Sequence, residues 1–185
     1  MLALYIKKGA CLLLFFLSIN TSAITPYWKF SNILPKDRIG HASIQSIQRD
    51  ETGYVWILSQ TNLSRFDGFQ LNEYFTEQPD LKPVNLIKRN KHIYVLERSA
   101  LFKYQQKQDK FSRLIQFDLS SGEYLSSVVG VSKNQLVVGT NRGRLFQVDT
   151  KDSLLMELAT LSSETAAYIK DIFFDNKDNL WVATS

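Results

Sequence analysis

Ile44-Gln-Ser-Ile47-Gln-Arg-Asp50-Glu-Thr-Gly53-Tyr-Val-Trp56-Ile57, running on to Leu63-Ser-Arg-Phe66-Asp67-Gly68-Phe69, is the stretch whose reading decides the fold. Short runs rich in β-branched and aromatic residues are broken by turn residues, which is the strand signal. Asp50 can bond its own backbone two residues on, and Gly53 can take positive φ. Asp67-Gly68 is a two-residue hairpin signal. The stretch predicts four short strands, Ser43–Arg49, Tyr54–Ser59, Leu63–Phe66 and Phe69–Phe75.

The same unit recurs outward from it. Ile44-x-x-Ile47 is followed nine residues later by Trp56, Leu125-x-x-Val128 nine later by Val137, and Ile169-x-x-Ile172 nine later by Trp181. Val84-x-x-Ile87 reaches Tyr94 after seven, as if its turn were two residues shorter. The anchors at 56, 94, 137 and 181 are 38, 43 and 44 residues apart. Leu63, Leu101 and Leu145 each open a further apolar run soon after their anchor, and Phe69–Phe75, Phe111–Phe117 and Leu154–Leu161 follow. Gly139-Thr140 and Asn141-Arg-Gly143 turn the third unit, and Asn134 and Asn179 stand near the Gly53 position. Asn tolerates the left-handed backbone region better than most residues.

After the first residues no apolar pattern of helical period and length occurs; within 157–170, Ser162–Thr165 reads as a loop. Four strands every forty residues is the signature of propeller blades. A sandwich also shows short strands and frequent turns, but it does not repeat one anchor pattern four times. The expected fold is therefore all-β, a β-propeller of four-stranded antiparallel blades at about 40–78, 80–118, 121–161 and 165–185. The last of these is incomplete, so about three and a half blades are present where rings close with roughly 4–8. An open arc exposes an apolar face and strand edges. The expectation is thus an N-terminal fragment of a longer protein, whose partners include the remaining blades.

Residues 1–23 differ in kind: Lys7 and Lys8, an apolar run over Ala10–Leu17, and small residues at Thr21-Ser22-Ala23. That is a signal peptide pattern, too short to span a bilayer, although an uncleaved anchor is the alternative. Its removal lowers the formal charge from +4 to +2, because its only charges are the two lysines. It also removes Cys11, the sole cysteine, so residues 24–185 hold no disulfide or thiol. A +2 balance spread along the chain is not a nucleic-acid footprint. No other segment is apolar enough to cross a membrane, so membrane attachment is expected only through a downstream segment.

The first unit resembles the two-component regulator propeller repeat: an isoleucine-rich strand, Asp-x-x-Gly, Trp-Ile, then Leu-x-Arg-Phe-Asp-Gly. Asp175–Thr184 resembles the opening half of another copy, and Tyr27-Trp-Lys-Phe30 with Leu34-Pro35 is similar to the lead-in of such sensors. The match departs at Leu58-Ser59, where the pattern has Gly-Thr, and at Asn62, where it has Gly. Units two and three match mainly by spacing. The resemblance implies the periplasmic input half of a bacterial membrane sensor with a histidine kinase or diguanylate cyclase output. It also implies a small-molecule or glycan ligand and a possible homodimer of the parent. The alternatives are a stand-alone secreted propeller, lectin-like or a lyase, and a non-functional remnant.

Individual residues point to structure more than to chemistry. Trp56 and Trp181 could stack on a sugar ring, but the repeating second-strand position favours packing between blades. Asp50, Gly53, Asp67, Gly68, Tyr94, Gly139 and Gly143 belong to the same structural signature. Asp175–Asn179 has a passing likeness to a calcium loop, yet it lacks the Gly and the distal Glu. His41 and His92 have no Cys, Asp or Glu at ligand spacing. No Gly-x-Ser-x-Gly elbow occurs. Lys103–Lys110 reads as a solvated hairpin face. No catalytic residue, metal site or cofactor is expected, and the chain is read as a non-enzyme; propeller ligands usually sit at the channel mouth.

Overall fold

The computed structural model describes residues 43–78, 80–161 and 167–185. The signal pattern with Cys11, the lead-in at 27–35, His41 and the 162–165 loop lie outside the described residues. Among the described residues, fourteen strands form four antiparallel sheets, three of four strands and one of two. The first sheet comprises β1 (Ile44–Arg49), β2 (Val55–Ser59), β3 (Leu63–Phe66) and β4 (Leu71–Tyr74). The second comprises β5 (Pro83–Arg89), β6 (His92–Glu97), β7 (Ala100–Gln105) and β8 (Lys110–Gln116). The third comprises β9 (Leu125–Gly130), β10 (Gln135–Thr140), β11 (Arg144–Asp149) and β12 (Leu154–Thr160). The fourth has β13 (Ile169–Phe174) and β14 (Leu180–Thr184).

First strands lie side by side, β1 against β5, β5 against β9 and β9 against β13, so the sheets stack face to face around a column of first strands. The anchors of the repeat fill the spaces between sheets. Trp56 packs with Leu58, Leu86, Val95 and Phe102 between sheets one and two. Tyr94 packs with Leu125, Val128, Leu136 and Phe146 between sheets two and three. Val137 meets Ile169 and Ile172 between sheets three and four. Gly139 permits that last approach: a Cβ there would stand 2.8 Å from Ile169 Cγ2 and from Ser127 Oγ. Trp181 occupies the same position in the fourth sheet, but among the described residues no sheet covers its face, and it is 61% exposed. Phe173, its cross-strand partner on β13, lies on the same face and is likewise exposed.

The turns refine the sequence reading. The β5–β6 turn is two residues long, Asn90-Lys91, with φ of 44° and 66°. Positive φ at both central residues matches the right-handed strand twist, which accounts for the shorter spacing to Tyr94. The β3–β4 hairpin is centred on Gly68-Phe69 rather than on Asp67-Gly68, since Asp67 N–H donates to the Gln70 carbonyl (3.2 Å). Gly68 takes φ 105° at the first central position, and the Asp67 carboxylate accepts from the N–H groups of Phe69 and Gln70. β4 accordingly starts at Leu71, and Phe69 points into solvent. Asp178, not Asn179, takes the left-handed place of Gly53 (φ 62° against 95°), and Asn134 takes no positive φ.

Candidate functional site

In a meander the first-to-second and third-to-fourth turns share one rim. On that rim, between sheets one and two, lies a cleft of about 410 Å³. The β1–β2 turn forms one wall. Asp50 organises it: Oδ1 accepts from Thr52 N–H (2.9 Å), Thr52 Oγ1 (2.6 Å) and Tyr54 N–H (3.0 Å). Oδ2 accepts from the Trp56 indole Nε1 at 2.8 Å. Burial alone would raise the Asp50 pKa, but the bonds from Thr52, Trp56 and Tyr54 outweigh it and hold the carboxyl below the ordinary range.

The fourth sheet repeats this turn. Asp175 Oδ1 accepts from Lys177 and Asn179 N–H (2.8 and 2.9 Å), and Oδ2 accepts from the Trp181 indole (2.9 Å). Both turns also close with an N–H from the first Asp to the residue four on, at 3.0 Å. The bonds from the Trp181 indole and the Asn179 side-chain amide hold Asp175 well below the ordinary carboxylate range. Sequence reasoning gave Asp50 and Trp56 separate roles; the six-residue spacing shared with Asp175 and Trp181 was the signal that they bond.

Behind the cleft the two sheets are joined by a charged group in an aromatic box. Arg65 on β3 packs its guanidinium over Tyr54 (4.6 Å), with Trp56, Tyr74 and Tyr104 within 6 Å. It pairs with Asp109, which follows the short 3-10 turn Gln106–Gln108, at 2.6 and 3.2 Å. Asp109 Oδ1 also accepts from the hydroxyls of Tyr74 and Tyr104 at 2.6 Å each. The Arg65 side chain is 8% exposed and that of Asp109 55%, so a buried cation leans on an acid at the surface. Arg65 Nε is buried without a partner. Burial and the Asp109 carboxylate push the Tyr104 hydroxyl up to about 12. Trp56 and Tyr104 meet edge to face at 4.7 Å. The segment 103–110 is therefore more than a solvated hairpin face: Tyr104 and Asp109 belong to the inter-sheet contact. An Arg inside a strand of otherwise buried residues was the available signal, because a buried charge requires a partner.

The cleft mouth is basic. Lys91, His92, Lys103 and Lys107 line it together with Tyr54, Tyr104 and the acids Asp50 and Glu51. Burial, and then the charge on Lys103, depress the His92 pKa. The signature residues are not gathered here. Asp50 and Gly53 form the β1–β2 turn with Trp56 on β2 behind it; Asp67 and Gly68 stand at the β3–β4 turn. Tyr94 packs toward sheet three, Gly139 lies against sheet four, and Gly143 (φ 80°) turns β10 into β11. Trp181 lies at the far end of the stack. Among the described residues no cluster of His, Cys, Asp and Glu is arranged to hold a metal, and no helix is long and apolar enough to cross a membrane.

No family model matches the sequence, and no curated protein matches it. Solved structures do. The extracellular domain of BT4673 from B. thetaiotaomicron, a proposed one component system, superposes with TM-score 0.65 at 18% identity over 76% of this chain. The Pan2 WD40 domain of Neurospora crassa gives 0.58 at 16% identity over 83%, and YCF48 from Cyanidioschyzon merolae 0.56 at 12% over 77%. The chain spans 20% of the BT4673 domain and about half of the other two, 47% and 48%. At these identities the likeness is one of fold. Radially stacked four-stranded meanders with that likeness make the described part of this chain an arc of a β-propeller.

Proposed function

We propose that this propeller arc is the periplasmic signal-input part of a bacterial membrane sensor, a binding module whose kinase or cyclase output resides elsewhere in the parent protein. The observation that carries the reading is the repeated Asp-to-indole turn. The stretch that resembles the sensor repeat most closely in sequence, Asp50–Trp56, and its second copy, Asp175–Trp181, adopt one hydrogen-bond pattern. The fold likeness to the extracellular domain of BT4673 supports the same placement. Fold alone does not fix function, so the test addresses export and binding directly. Alkaline phosphatase fused after Ser185 is expected to be active in the periplasm, and inactive when residues 1–23 are deleted. A thermal-shift screen of the purified chain against small sugars and organic anions is expected to yield a stabilising ligand. An inactive fusion, or a screen in which no neutral or charged compound stabilises the chain, would sink the reading.

A further inference from the structure

The cleft between sheets one and two carries more positive than negative charge: Lys91, Lys103 and Lys107 line it with the Asp50 carboxylate and with Glu51. Both acids at its mouth are committed. Asp50 accepts four hydrogen bonds within its own turn, and Glu51 pairs with Lys88 at 2.7 Å. Lys91, Lys103 and Lys107 form no ion pair among the described residues. They line a concave space together with His92, with Lys103 Nζ 5.9 Å from the centre of the Tyr94 ring, and a concave site of net positive sign attracts an entering anion. A shallower depression, lined by the paired Glu51 and Lys88 together with Arg89, Asn90, Lys91 and Lys133, continues the net positive charge along the rim. The wall between the lysines is aromatic: Tyr54 and Tyr104 line the cleft and at the same time enclose Arg65. The aromatic floor is tied to the Arg65–Asp109 pair, while the mouth carries a net positive charge. An aromatic wall with a few converging charged groups is the lining that small-molecule sites commonly have.

We propose that this inter-blade cleft binds a small polyanion, whose oxyanion groups are taken by Lys91, Lys103 and Lys107 while its carbon skeleton lies on Tyr54 and Tyr104. The inference deepens the signal-input reading and rests on it for the premise that a small molecule is the signal. Because the cleft is walled by two different blades, an occupant would contact β1–β2 and β7–β8 turns together and bias their separation.

The test is calorimetric titration of the purified chain at low salt with citrate, pyrophosphate and glucose, against sodium chloride of equal ionic strength. Saturable binding of citrate or of pyrophosphate is expected, and which of the two binds separates a carboxylate ligand from a phosphate one. Lys103→Gln with Lys107→Gln is expected to weaken binding by at least about tenfold, while Lys170→Gln on β13 leaves it unchanged. Circular dichroism of the double variant checks that it folds, and Lys103→Arg with Lys107→Arg should retain binding. No saturable heat with either polyanion, or binding indifferent to the two glutamines, overturns the proposal. Saturation by glucose alone would also overturn it, while leaving the signal-input reading standing.

Discussion

Asp109→Asn separates the charge of the Arg65 pair from its shape. Asparagine tolerates the left-handed backbone that Asp109 adopts (φ 48°), so the substitution adds little strain. It keeps an acceptor for one partner but removes the negative charge opposite a guanidinium that is 8% exposed. Hydrogen bonds to charged groups contribute about 1.5–3 kcal/mol each and neutral ones about 0.5–1.5. Asparagine has one side-chain oxygen, so one of the two Arg65 contacts, at 2.6 and 3.2 Å, is lost at a cost of about 2 kcal/mol. Water reaching the half-exposed Asp109 side limits it to that. Adding Arg65→Met removes the uncompensated cation and leaves an adaptable apolar chain among Tyr54, Trp56, Tyr74 and Tyr104. Replacing a whole buried pair by apolar residues is commonly neutral or better, so the double variant should recover about 1 kcal/mol relative to Asp109→Asn alone. Urea unfolding followed by far-ultraviolet circular dichroism measures both. A single variant within about 0.5 kcal/mol of the parent, or a double variant less stable than the single, would refute the view of Arg65 as a buried charge held by one acid.

Two more outcomes follow from the sheet interfaces. Gly139→Ala places a methyl 2.8 Å from Ile169 Cγ2 and Ser127 Oγ and 3.0 Å from Ile172 Cδ1; overpacking of about 1–3 kcal/mol, less about 0.5–1 gained from reduced chain freedom, should leave a loss of about 1 kcal/mol in the same urea assay. Trp56→Phe should cost about 2–3 kcal/mol through the lost indole bond to Asp50 and the shrunken ring, whereas Trp181→Phe, at the exposed copy of the site, should stay within about 1 kcal/mol; equal losses at the two positions would contradict the assignment of Trp56 to a sheet interface.

Much of the fold was legible because a repeat declares itself by spacing. Trp56, Tyr94 and Val137 share a position in the sequence and share a place between sheets, and even the shortened interval before Tyr94 became the two-residue Asn90-Lys91 turn. Turn centres were less legible: Asp67-Gly68 and Gly68-Phe69 are equally plausible hairpins until the Asp67 side chain is seen bonding forward to Phe69 and Gln70. The cleft was not legible at all. Arg65 and Asp109 are 44 residues apart on different repeats, and local patterning carries no information about which hairpin tip will face which strand. The run from Lys103 to Lys110 looks like solvated charge because its two structural members, Tyr104 and Asp109, are interleaved with lysines and glutamines.

The stacking of each sheet only on its sequence neighbours has a thermodynamic consequence. With β1, β5, β9 and β13 in contact in that order, the described arc behaves as a short linear chain of coupled units, each stabilised by its own ladder and by the junctions on either side. Interior units have two junctions and the last has one, so hydrogen exchange should be slowest in β6 and β10 and fastest in β14. A ligand held at the first junction would then lower the opening rate of the two units it joins, and its influence would fade with each junction crossed.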